Sequence, residues 1–193
     1  MPHSYWQTDR VRIRAFDETD IERLVQTRNN RDGNLDWLYD TINLPQTPAK
    51  IRGGYNDYLA ALDKEDGCLL VVETHAGEYA GELQVWYTKR PEMYFIFGIY
   101  VLEKFQGQGL GKDALKLLLD YYFNEKGYNK AEAHVYSFNP ASQAFHTKFG
   151  FTHEGTLRGR IYSRGKANDV HIYGLLADEF NARYEHNIWH KKF

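Results

Sequence analysis

The stretch Tyr94 to Lys126, YFIFGIYVLEKFQGQGLGKDALKLLLDYYFNEK, decides the fold, and the turn Gln106-Gly107-Gln108-Gly109-Leu110-Gly111-Lys112 lies at its centre. Tyr94 to Leu102 is rich in β-branched and aromatic residues and reads as a strand. Beyond the turn, Ala114, Leu115, Leu118, Leu119, Tyr122 and Phe123 recur at the three- and four-residue spacing of a helix. A strand, a glycine-rich turn and a helix start bring bare backbone N–H groups and the positive helix end together. That arrangement suits anions, phosphates above all. Glycine permits close approach of a pyrophosphate and the dihedrals such a turn needs.

Spacing separates three phosphate-binding turns. A P-loop would need Gly where Gln106 stands and a hydroxyl where Asp113 stands. A dinucleotide fingerprint accepts Gly107 and Gly109 but meets Lys112 at its third glycine. The pattern [QR]-x-x-G-x-[GA] is met by Gln106, Gly109 and Gly111. Here the sequence resembles the GNAT family of N-acetyltransferases, whose motif cradles the pyrophosphate of acetyl-CoA. A bare strand-to-helix turn without a ligand is the plain alternative on this stretch alone.

Outward from the turn, the chain has the size of one domain: 193 residues, 42% hydrophobic and 26% charged. The aromatic share of 16% suggests aromatic-walled packing or pockets. A formal charge of −2 gives no electrostatic case for nucleic acid, and no apolar run is long enough for a membrane helix. The single Cys68, in the apolar run Cys68-Leu69-Leu70-Val71-Val72, rules out an internal disulfide or a cysteine zinc cluster and reads as a buried, inert thiol. The expectation is a soluble cytoplasmic protein with no metal.

Val11 to Ala15 alternates as a strand, and Thr19-Asp20-Ile21-Glu22 matches a capping box opening a helix. Asn34 to Ile42 reads as a short helix, and Thr47-Pro48 starts another that carries Tyr55, Tyr58, Leu59 and Leu62. Cys68 to Thr74 and Tyr79 to Tyr87 form a hairpin around His75-Ala76-Gly77-Glu78. Lys130 to Tyr136 is a strand, Asn139-Pro140 opens a helix ending near Gly150, and Thr152–Ile161 with Asn168–Ala177 reads as a final hairpin. Asp178 to Glu185 reads as a last helix, and Ile188 to Phe193 as a loose tail. This order gives a mixed α/β single domain over 1–193, with its core at about 11–180.

The order also resembles GNAT topology, a central, mostly antiparallel mixed sheet flanked by helices. Asn139 to Phe151 looks like the family's N-x-x-[AS]-x-x-x-[YL]-x-K-x-G-F signature, and Asp169 to Leu176 resembles the D-V-x-x-Y-x-L-L strand of the RimJ/RimL-like branch. The resemblance implies that backbone groups of Ile99, Tyr100 and Val101 pair with the pantetheine arm. It gives Gly107, Gln108, Gly109, Leu110, Gly111 and Lys112 to the pyrophosphate and Asn139 to the pantetheine, although Asn139 also suits a helix cap.

Acid–base residues are less uniform. Many family members carry a carboxylate where Ile96 stands and a tyrosine acid where His146 stands. His146 can donate or accept a proton near neutral pH, or be an uninvolved helix histidine. For the base, His134 shares a strand face with Glu132 and Tyr136, and Glu82 is the main carboxylate alternative. Asp32, Asp36 and Asp40, with Trp37 and Tyr39, form either a cation-attracting stripe or a solvated face. Arg158, Arg160, Arg164 and Lys166 make the final hairpin basic.

The resemblance implies acetyl transfer to a primary amine: a protein N-terminus, a polyamine, an aminoglycoside or another small amine. The alternatives are an acyl-CoA-binding module without catalysis and, less consistent with the spacing, a nucleotide-phosphate binder. The terminal strands and tail leave room for a homodimer.

Overall fold

The structure is a computed structural model, and it describes residues 6–27, 44–64, 67–89, 93–163 and 165–184. The expected Asn34 to Ile42 helix with its aspartates, Arg164 and the terminal tail lie outside these residues. In chain order the elements are β1 (Val11–Ala15), α1 (Glu18–Thr27), α2 (Pro48–Lys64), β2 (Cys68–Thr74), β3 (Tyr79–Lys89) and β4 (Tyr94–Val101). A 3₁₀ turn (Glu103–Phe105) leads to α3 (Leu110–Asp120), which loosens into a π turn (Tyr121–Glu125). Then follow β5 (Lys130–Tyr136), α4 (Pro140–Phe149), β6 (Thr152–Ser163), β7 (Lys166–Leu176) and α5 (Ala177–Arg183).

The strands form one seven-stranded sheet in the order β1-β2-β3-β4-β5-β7-β6. Every neighbour is antiparallel except β4 with β5, so the mostly antiparallel mixed sheet expected from the sequence is present. A parallel pair needs a crossover, and the glycine turn with α3 supplies it. The turn therefore sits at the C-terminal end of β4, in the middle of the sheet.

The helical spacing of α3 corresponds to burial. Ala114, Leu115, Leu118 and Leu119 are fully buried and share a core with Phe95, Phe97, Ala131 and Ala133. Phe95 stacks on Tyr122 with ring centroids 4.4 Å apart. Since Leu118 is 0% exposed, Leu118→Ala should destabilise the protein by roughly 3 kcal/mol and lower Tm by on the order of 10 °C in a thermal melt.

The opposite sheet face is covered by α1 and α2, where Tyr100 packs with Leu24, Phe16 and Tyr55. Helix α1 begins two residues earlier than the Thr19 capping box predicts. Asp17 accepts from the Thr19 backbone N–H at 2.8 Å and its hydroxyl at 2.6 Å, so the nearer carboxylate takes the cap. Cys68 is half-buried rather than buried, with Sγ 3.7 Å from the Tyr122 hydroxyl. Among the described residues, no helix is long and apolar enough to cross a membrane.

Candidate active site

The glycine turn is shaped by backbone rather than side chain. Gly107 and Gly109 have φ of 74° and 87°, the left-handed region that L-residues avoid. Gly109 caps α3 with no side-chain bond, and the first helical bond runs from the Asp113 N–H to the Gly109 carbonyl at 3.1 Å. The N–H groups of Leu110, Gly111 and Lys112 are therefore left without partners inside the helix. Gly111 meets a different demand. A Cβ there would stand 3.2 Å from Val101 Cγ2, so glycine lets α3 approach β4. The Gln106 amide donates to the Val101 carbonyl at 2.9 Å and Gln108 to the Lys104 carbonyl at 2.8 Å, tying the turn down.

One contact escaped sequence reading. Arg10 grips Asp113 through Nε and Nη2 at 2.8 and 2.7 Å, across 103 residues. This compensates a carboxylate in the first turn of an anion-oriented helix. Nothing local in the sequence signals a pair so far apart.

Beside the turn, the sheet opens. β4 and β5 share three rungs, Tyr94↔Lys130, Phe95↔Ala131 and Ile96↔Glu132, and pairing then stops. On its other side β4 stays paired with β3 as far as Gly81↔Val101. The Leu102 N–H bonds the Ala80 carbonyl at 2.8 Å, which sets the alternation along β4. Gly98 and Tyr100 thus direct their backbone groups to β3, while Ile99 and Val101 direct theirs into the gap. Tyr100, grouped with them from the sequence, is the exception. Its backbone serves β3 and its ring packs against α1.

The candidate acid–base residues divide between the two sheet faces. Glu82 and His134 face the α1–α2 side, on β3 and β5. His146 lies on the other side, in α4, and the structure does not bring it together with them. Glu82 is 7% exposed and accepts from the Tyr79 hydroxyl at 2.5 Å. The Arg23 guanidinium lies over the Tyr79 ring, 3.2 Å from its centroid, and 3.9 Å from the Glu82 carboxylate. Burial first, then the Glu82 charge, pushes the Tyr79 phenol well above its usual range, so it remains a donor.

His134 is exposed, and its Nε2 lies 2.6 Å from Glu132 Oε1. His146 is 3% exposed within an aromatic box of Phe97, Phe145, Phe151 and Tyr173, at centroid distances of 5.2 to 5.9 Å. Its Nδ1 lies 2.8 Å from the Ser142 carbonyl, which assigns the proton to Nδ1 and leaves the lone pair on Nε2. That Nε2 is buried without a hydrogen-bond partner. Burial pulls the imidazole pKa down to about 4, against a smaller opposing effect of the Ser142 carbonyl. A proton donor at this position would have to be charged, and the site disfavours charge.

Asn139 caps α4, accepting from the Ser142 N–H at 3.0 Å, and Gly150 closes the helix as its motif predicts. A cleft of about 610 Å³ opens between α2 and the β2–β3 strands, lined by Lys50, Tyr55, Asp57, Tyr58, Glu82 and Gln84, among others. It lies on the sheet face that carries His134. Tyr58 donates to Gln84 at 2.6 Å across it. Among the described residues, no three His, Cys, Asp or Glu side chains are placed to hold a metal ion.

A gap that exposes strand backbone and ends at a glycine-rich helix start is an arrangement that could take an extended ligand with a phosphate tail. The chain belongs to the GNAT acetyltransferases: the family's acetyltransferase (GNAT) domain matches residues 10–152. Membership makes it an N-acetyltransferase with acetyl-CoA as the acetyl donor, and the P-loop alternative falls.

The chain is 26% identical over 184 residues to YokL, an uncharacterized SPbeta prophage-derived N-acetyltransferase of Bacillus subtilis strain 168, covering 95% of this chain and 99% of YokL. It is 30% identical over 177 residues to YdaF, provisionally named a ribosomal N-acetyltransferase, covering 89% and 94%. That relative accords with the RimJ/RimL-like branch, whose strand motif is β7 here. A solved Vibrio cholerae spermidine N-acetyltransferase, in complex with CoA and spermine, shares the fold at TM-score 0.74 and 22% identity, with 90% and 99% of the two chains covered.

Proposed function

We propose that this protein moves the acetyl group of acetyl-CoA to a primary amine by direct attack within a ternary complex. The whole chain would serve as one GNAT domain, with its core at about residues 11–180. The observation that carries the reading is the β4–β5 gap, where the backbone of Ile99 and the N–H of Val101 face the opening and the Val101 carbonyl ties the strand to Gln106 of the glycine turn. The N–H groups from Gly107 to Lys112 would hold the pyrophosphate, and Gln108 would keep that turn in shape. Asn139, beyond its capping bond, would meet the pantetheine. A strand N–H at the gap would polarise the thioester carbonyl, stabilising the transition state by a few kcal/mol (roughly 3).

An alkyl amine arrives charged, since its pKa is about 10. His134 is the favoured proton acceptor because Glu82 is buried and already engaged by Tyr79. The neutral nitrogen then attacks, the C–N bond forms and the C–S bond breaks. The departing sulfur takes the second amine proton, so no charged His146 is required. The neutral, boxed imidazole of His146 supports a packing role in place of the acid role the family position suggests.

The acceptor is a protein N-terminal amine, a polyamine, an aminoglycoside or another small amine. The solved relative with spermine and the ribosomal name of YdaF favour different members of this set. Calorimetric titration with acetyl-CoA, followed by an amine panel read by release of the CoA thiol, tests the proposal. Binding with transfer to at least one amine is expected. Binding without transfer to any would leave an acyl-CoA-binding module.

A further inference from the structure

We propose that Glu132 and His134 form one proton-accepting unit, with Glu132 as the positioning residue that fixes the His134 imidazole toward the acceptor amine. The inference rests on the transfer reaction proposed above and supplies the partner its base needs. Three independent placements carry it.

The first is strand register. Ile96↔Glu132 is the last rung before β4 and β5 part. Two residues further, Gly98 and His134 stand on either side of the gap. Gly98 pairs on its other edge with Gln84, which lines the 610 Å³ cleft. Cleft, bare glycine, gap and imidazole thus form one row across three strands. An amine leaving the cleft passes over Gly98 and meets the gap with His134 opposite. Ile96 leaves β4 without a carboxylate here, and the neighbouring strand carries one at the same level.

The second is hydrogen-bond direction. A carboxylate only accepts, so the 2.6 Å contact puts a proton on His134 Nε2 and the lone pair on Nδ1. The side chains are 35% and 17% exposed, the histidine more than its partner. The imidazole can therefore pass a proton to water, while Glu132 stays anchored on the strand.

The third concerns the surrounding charges. Lys130, on the same face of β5, is paired with Glu154 at 2.5 Å. Glu154 lies across Gly174, in space a Cβ would fill, and Gly174 is the β7 partner of Glu132. Lys130 thus has its own counter-ion. The β7 neighbour of His134 is the uncharged Ile172.

In the step proposed, the ammonium's first proton moves to His134 Nδ1 while Nε2–H stays bonded to Glu132. The test is a double-mutant cycle on the full chain with an amine that the wild type acetylates. His134→Ala should lower kcat by roughly a hundredfold or more. Glu132→Ala should lower it roughly tenfold with KM for acetyl-CoA unchanged, and Glu132→Gln at least as much, since an amide removes the charge and can hold the imidazole in the other tautomer. Adding Glu132→Ala to His134→Ala should cost nothing further. ¹⁵N spectra at alkaline pH should show His134 as the Nε2–H tautomer in the wild type and a mixture in Glu132→Ala.

Full activity in Glu132→Ala, losses that multiply, or a wild-type Nδ1–H tautomer would each overturn the assignment while leaving acetyl transfer intact. A wild type that binds acetyl-CoA and acetylates no amine would overturn the transfer reading and this assignment together.

Discussion

Gly109→Glu should abolish acetyl-CoA binding, with at least a hundredfold loss of affinity by calorimetry and a folded protein by circular dichroism. Gly109 adopts φ of 87°, so any side chain there meets left-handed strain of roughly 1–2 kcal/mol. Gly109→Ala isolates that part and should lower stability with a modest effect on binding. Glutamate adds a negative charge at the N-terminus of α3. At about 4 Å from a phosphate charge the repulsion is roughly 4 kcal/mol at an effective dielectric of about 20, or about three decades of affinity. Arg10 offers little relief. Although a Cβ at residue 109 would lie 3.3 Å from its Nε, Asp113 already holds that nitrogen. Gly107→Ala gives a second measure of the left-handed strain, because φ is 74° there while a Cβ meets nothing within 4 Å. A folded Gly109→Glu protein that binds acetyl-CoA like wild type would remove the pyrophosphate from this turn.

That experiment depends on a motif legible in seven residues, and it shows what a local pattern can carry. Turn, strand and helix were readable because each follows from neighbouring residues: the β-branched run of β4, the leucine spacing of α3, and the cap pair Asn139 and Gly150. The burial of Leu115 and Leu118 follows from the same spacing. The active-site details depend on pairing between distant segments. Whether Tyr100 or Val101 faces the gap is set by the Leu102 to Ala80 hydrogen bond, which no periodicity encodes. Glu132 gains meaning only from its rung with Ile96, and Arg10 only from Asp113. The Thr19 cap is displaced because Asp17, two residues earlier, accepts from the N–H groups of Thr19 and Asp20 and starts the helix there. The sheet separates His146 from His134 and Glu82, since α4 packs on the α3 face.

His146 carries the second large prediction, and its sign follows from burial. Its pKa in the folded protein is about 4, below the ordinary value of 6.5. Between these values the unfolded chain binds a proton that the folded chain refuses. Stability is therefore complete above pH 6.5 and falls as pH drops toward 4, by on the order of 3 kcal/mol for this group alone. His146→Phe removes that dependence and fills the aromatic box with a side chain that leaves no unpartnered nitrogen. Urea unfolding at pH 7.5, 5.5 and 4.5 should show a steeper loss in the wild type than in the variant. Carboxylates such as Glu22, held low by Arg52, contribute to both proteins and cancel in the difference. Equal slopes would mean that His146 is solvated or charged in the folded state. Turnover separates the chemical roles in the same variant. If the amine's own proton leaves with the thiol, kcat should stay within a few-fold of wild type. A loss of a hundredfold would instead return the acid role to His146, because phenylalanine keeps the packing and removes only the nitrogens.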